Sequence, residues 1–186
     1  MIRLFLVSKN FIHFMRRLLM KNYPKAYIDF LIEFHCTRDF FECHEIMEEY
    51  WKEHNENHWL GLIQLAVAIY HERQKNYSGS LRLYEKSLNH LKESETAFRQ
   101  LGLDVKTLSD MTRQRILNIK NGGGYKTMNL PISDNQLVAL CKEKCAQIQL
   151  TWCDNDNQSD ESLVYRHKLR DRSDVIEERL KSLDKK

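Results

Sequence analysis

Residues 59–70 read WLGLIQLAVAIY, a run in which every position is apolar or glycine except Gln64. A helix that is apolar on one stripe packs against a core, whereas one that is apolar around its whole circumference is enclosed by other elements. The run is therefore expected to be the buried central helix of an all-α bundle, with Gln64 a buried amide that needs a partner. The rest of the chain agrees with that class. Only 2 Pro and 6 Gly, three of them at 122–124, interrupt long runs of helix-forming residues. With 186 residues and 42% hydrophobic content, the chain suits one compact domain with appendages.

Working outward, Pro24 fits a first helical turn, and Tyr27, Ile28, Leu31, Ile32 and Phe34 keep helical period to about His35. Thr37 or Asp39 caps a second helix through about His54. Asn57 caps the central one, and NYSGS at 76–80 ends it and starts a fourth. Leu81, Tyr84, Leu88, Leu91, Phe98 and Leu101 recur at steps of three and four, which predicts one packed stripe along that fourth helix. A fifth spans about Val105–Lys120 and stops at NGGG; Ser133 caps a sixth ending near Trp152. The expected organisation is a basic extension over 1–22, a helical domain over 23–152, a polar linker over 153–162 and a charged carboxyl-terminal helix over 163–186. That last helix has only Leu169, Ile176, Leu180 and Leu183 as a narrow apolar seam, so it is expected to dock loosely or to contact a protein partner.

Net charge is +3 but uneven: residues 1–25 hold six basic and no acidic residues, 163–186 eight basic and five acidic, so the body between is acidic. A uniformly basic face, as specific nucleic-acid binding needs, is absent. The stretch MIRLFLVSKNFIHFMRRLLMKN is too interrupted by Lys9, His13, Arg16 and Arg17 for a secretory signal or a membrane span. It reads either as an amphipathic surface helix carrying Phe11, Phe14, Met15 and Leu18 or as residues upstream of a start at Met20. The cysteines, Cys36, Cys43, Cys141, Cys145 and Cys153, are odd in number and fit no disulfide framework, which points to a reducing cytoplasm. Cys141 and Cys145 share a helix face, but C-x3-C with Cys153 beyond it is a poor zinc pattern, and buried small hydrophobes are the expected role.

Chemistry concentrates in FFECHEIMEEYW, residues 40–51. On a wheel of about 100° per residue centred on His44, the residues Trp51, Phe40, Met47, Cys43 and Tyr50 fall on one side and Glu42, Glu45, Glu49 and Glu53 on the opposite arc. Glu48 falls at about 40°, inside the apolar sector with His44, where an unpaired charge is costly. His71 lies two turns after Gln64 on one stripe of the central helix, so antiparallel packing of the two helices is expected to gather His44, Glu48, Gln64 and His71 into a buried polar cluster. Three uses stand open. The cluster is a satisfied hydrogen-bond network that fixes helix register. Alternatively His44, Glu48 and His71 ligate a divalent metal such as zinc, iron or manganese, with Gln64, Trp51 and Asn76 supporting. The third use is metal-free acid–base chemistry by Glu48 and His44. HEIME lacks the second histidine of the zinc-protease helix, and no nucleophile or phosphate loop is evident.

RDFFECHEIMEEYW, followed by GLIQLAVAIYHERQKNYSGSLRLYEKSLNHL, resembles the bacterial and archaeal domain-of-unknown-function family 309 over about Tyr23–Leu91. These are small all-helical proteins that share an aromatic-x-x-His-Glu-x-x-Glu-x-x-Trp pattern and a Gly-Leu-Ile-Gln helix. The pattern falls on His44, Glu45, Glu48, Trp51, Gly61, Gln64, His71, Asn76 and Gly79. The resemblance implies a helical bundle and carries no established activity. YSGSLRLYEKSLNHL is also similar to half a tetratricopeptide repeat, but no period of about 34 residues recurs. The reading is a cytoplasmic helical binding or scaffold module, with a metal-dependent hydrolase using His44, Glu48 and His71 as the alternative. A sealed cluster favours the first and a cleft reaching it the second.

Overall fold

A computed structural model describes residues 21–153 and 160–166. The expectations for the extension upstream of Lys21, for most of the linker and for the charged helix beyond Arg166 lie outside the described residues. Within them the protein is all-helical, as expected: α1 (Lys25–Ile32), a π-turn (Glu33–Thr37), α2 (Phe40–His54), α3 (Asn57–Arg73), α4 (Tyr77–Glu93), α5 (Glu95–Gln100), α6 (Val105–Lys120), α7 (Asn135–Gln147) and α8 (Glu161–Val164). No described helix is long and apolar enough to cross a membrane.

The apolar run forms α3, and its neighbours enclose it. Phe41 near the start of α2 meets Tyr70 near the end of α3, with ring centroids 5.9 Å apart, and Tyr50 near the end of α2 meets Trp59 near the start of α3 at 5.2 Å. The hairpin is therefore antiparallel, turned by Asn55 in the left-handed region (φ 55°). On its other side α3 meets α4 at close range. Ser87 Oγ donates to the Gly61 carbonyl at 2.9 Å, and a Cβ on Gly61 would lie 2.9 Å from both His90 Cβ and Phe98 Cζ. Only glycine fits there, although it costs a helix interior about 0.5–1 kcal/mol relative to alanine.

The first helix widens at a point that its apolar spacing does not mark. After Ile32 the chain passes through the π-turn, which buries Phe34, His35 and Cys36, and then Arg38 adopts φ 60°. The Arg38 guanidinium is buried. It donates to the Phe34 carbonyl at 3.0 Å, the Met128 carbonyl at 3.1 Å and Asn129 Oδ1 at 2.8 Å, replacing helical partners lost at the turn. Asp39 then caps α2 by accepting from Glu42 N at 2.9 Å. Three other boundaries correct the sequence reading. Tyr77–Ser80 belong to α4, because Asn76 caps it by accepting from Gly79 N at 3.2 Å. The apolar stripe through Leu101 is split at Ser94 into α4 and α5. Asp134, not Ser133, caps α7, whose α-helical turns end at Gln147. Asp134 also accepts from Tyr23 OH at 2.7 Å, tying α7 to the start of α1. Cys141 and Cys145 are buried in this contact as small apolar groups, as expected.

Candidate functional site

The Asp39 cap fixes the register of α2, and the next turn presents His44, Glu45 and Glu48. His44 Nδ1 lies 2.9 Å from Glu45 Oε1 and His44 Nε2 lies 3.0 Å from Glu48 Oε2. Glu48 Oε1 also accepts from Lys52 Nζ at 3.1 Å. One donor atom from each of the three residues falls within 4.8 Å of the others, the spacing of a metal-ligand set.

This arrangement corrects two expectations. The cluster is half-buried rather than sealed: the side chains are 27% exposed for His44 and 35% for both Glu45 and Glu48. Glu45, assigned to the solvent arc, turns back onto His44. The wheel gives the direction of Cα–Cβ, and a glutamate has enough rotatable bonds to swing its carboxylate from the neighbouring position to the ring. His44–Glu48 is the one-turn pairing that the spacing predicts.

Beside the cluster, α2 and α3 leave a cavity of about 240 Å³, walled by Phe40, Phe41, Val67 and Tyr70, with His44, His71 and Gln74 as its polar members. His44 and His71 thus share one space, as expected, but they do not form one donor set. His71 Nδ1 lies 3.0 Å from Asn76 Nδ2, so Asn76 supports His71 while also capping α4. Gln64 and Trp51 are not part of the lining; the Gln64 Oε1 and Trp51 Nε1 atoms are buried without a hydrogen-bond partner. Of the lining residues, Gln74 also reaches the carboxyl-terminal segment, where its Nε2 donates to the Val164 carbonyl at 2.7 Å, and Arg166 of that segment pairs with the buried Asp39.

Besides Arg38, the buried polar groups that the helix pattern did not mark include Glu72 and His35. Glu72, next to His71, is fully enclosed: its Oε2 accepts from Tyr84 OH at 2.6 Å and Arg115 Nε at 3.0 Å. Burial pushes the Tyr84 phenol well above its usual range. The signal was available, since Glu72 continues a helix that is apolar all round. His35, in the π-turn, stacks on Trp152 at 4.3 Å with Nδ1 3.3 Å from Cys153 Sγ. Burial, then the nearby Arg38 charge, lowers its pKa from 6.5 to about 3, so the ring is neutral.

The pattern that α2, α3 and the start of α4 carry is matched by a family model described as a domain of unknown function, DUF309, over residues 27–83. The uncharacterized protein YpuF of Bacillus subtilis is 44% identical over 168 residues, covering 88% of this chain and 97% of that protein. No solved structure matches the chain. The matched residues include the His44–Glu45–Glu48 cluster, both walls of the cavity and Gly61, and with a relative aligned along nearly its whole length the chain belongs to the DUF309 family.

Proposed function

We propose that this chain is a ligand-binding helical module, and that its binding site is the cavity between α2 and α3. The observation that carries this reading is the lining: four aromatic or aliphatic walls around about 240 Å³, with two imidazoles and one amide to orient a polar end. Ligand pockets are built in this way, apolar in bulk with a few placed polar groups. The cavity reaches His44, which the hydrolase alternative requires, but neither Glu45 nor Glu48 is in its lining, so a bound molecule would meet an imidazole and not a carboxylate base. An aromatic probe with one hydroxyl, 2-naphthol, should bind with one-to-one stoichiometry in a fluorescence titration. Val67→Trp, which fills the cavity from the α3 wall, should abolish binding with the helical circular dichroism retained. Binding that survives Val67→Trp, or its absence from the wild type, would sink the proposal.

The donor geometry favours a second reading, a divalent cation held by His44, Glu45 and Glu48. Glu45, rather than His71, completes the donor set. Two carboxylates and one imidazole suit zinc, manganese or iron and leave positions for water. A cation binds only a deprotonated ring nitrogen, so affinity should rise with pH. Zinc or manganese at a hundredfold excess over its dissociation constant should add about 2.7 kcal/mol of stability. Glu45→Gln and Glu48→Gln should each remove most of that increment; unchanged melting on titration with both metals would reject this reading.

A further inference from the structure

We infer that Cys36 and Cys145 form an oxidisable dithiol that closes to a disulfide and fastens the π-turn to α7. Their sulfurs lie 2.7 Å apart, joined as an S–H···S contact, across 109 residues of sequence. That separation is well inside the roughly 3.5–4.0 Å of ordinary non-bonded contacts and a short movement from the ~2.05 Å of a disulfide bond. The other thiols are disposed differently. Cys43 donates to the Phe30 carbonyl at 3.6 Å, and Cys153 faces His35. Cys141 is buried one turn before Cys145 on α7.

The π-turn explains the placement, since a wide turn there carries Cys36 inward toward α7 while His35 goes under Trp152. Of the two residues Cys36 has the greater contact with solvent, 7% exposed against 1% for Cys145. The oxidant that suits so buried a thiol is a small one, hydrogen peroxide, rather than a bulky disulfide such as oxidised glutathione. In the first step the Cys36 sulfur attacks hydrogen peroxide, breaking the O–O bond to give a sulfenic acid and water. In the second the Cys145 sulfur attacks the sulfenic sulfur, forming the S–S bond and releasing a second water. The two thiols together lose two electrons and two hydrogens, and one peroxide is reduced to two waters. Burial and the contact with Cys145 hold the Cys36 thiol protonated, so closure is slow at neutral pH and accelerates as pH rises.

The test is intact-mass spectrometry and peptide mapping of the full chain after hydrogen peroxide, with Cys153→Ser as background to remove the exposed thiol. The mass should fall by about 2 Da, with the Cys36 and Cys145 peptides joined, and Cys36→Ala or Cys145→Ala should each prevent the fall. Cys141→Ala should not. Closing so long a loop should raise the melting temperature by about 5 °C or more, reversed by dithiothreitol. Equal closure by oxidised glutathione at neutral pH would overturn the access argument. A gain of about 16 Da at Cys36 without closure, a crosslink at another pair, or no change in the folded wild type would overturn the dithiol itself.

Discussion

Two groups of charges in this protein are built on consecutive helices and live under different physics. On α2, Glu45 and Glu48 flank His44 at 35% exposure, with Lys52 as a further partner of Glu48. At the far end of α3, Glu72 is 1% exposed and its Oε2 is shared by Tyr84 and Arg115, whose guanidinium lies 5.1 Å from the Tyr125 ring centroid. The first group can exchange its partners for solvent at little cost. The second cannot, because a buried carboxylate that loses a donor has no water to replace it. A conspicuous motif thus marks where the molecule is adaptable, and an inconspicuous glutamate marks where it is committed.

The contrast is broken most directly at Glu72. Glu72→Ala should cost about 3–5 kcal/mol in urea unfolding, since it strands the Tyr84 hydroxyl and the Arg115 charge. A loss below about 1 kcal/mol would mean that the network relaxes as freely as the α2 cluster and that burial is not the deciding variable.

His35 sharpens the same contrast through pH. Its folded pKa, about 3, lies below the unfolded 6.5, so between those values only the unfolded chain takes the proton. Its contribution is fully present above pH 6.5 and is lost as pH falls, at about 1.4 kcal/mol per unit. From pH 6.5 to 5 the wild type should therefore lose roughly 2 kcal/mol more than His35→Gln, measured as the difference in slope of unfolding free energy. Parallel slopes would place a protonatable, solvated ring at this position. The smallest effect belongs to the motif: without added metal, Glu45→Gln and Glu48→Gln should each shift stability by no more than about 1 kcal/mol, and by similar amounts. A much larger loss for Glu48 alone would restore the asymmetry that the helical wheel suggested.

Helix periods, and with them the all-α class and the enclosed position of α3, were legible because each follows from local apolar spacing. Val105–Lys120 was read to its ends for that reason. The π-turn was not, since the Phe34 carbonyl is satisfied by Arg38 and Arg38 itself by Met128 and Asn129, partners about ninety residues away. The split at Ser94 was missed because an apolar stripe can continue across a break when both pieces pack on one core. At the site, Cβ direction found His44 with Glu48 and put His71 on the same cavity. It missed Glu45, whose position depends on side-chain torsions, and it joined Gln64 to a cluster that the two helices do not close.

Gly61 bears on how the cavity could change shape. Where α3 and α4 touch, a serine hydroxyl bonds the Gly61 carbonyl and the His90 and Phe98 side chains close directly on the glycine, so sliding one helix on the other would force them into the α3 backbone. The α2 face of the cavity rests instead on whole side chains, Phe40, Phe41 and His44, which have rotamers to exchange. Under the proposed binding role, a change in the width of the cavity is therefore expected at these α2 side chains rather than at the α3–α4 contact.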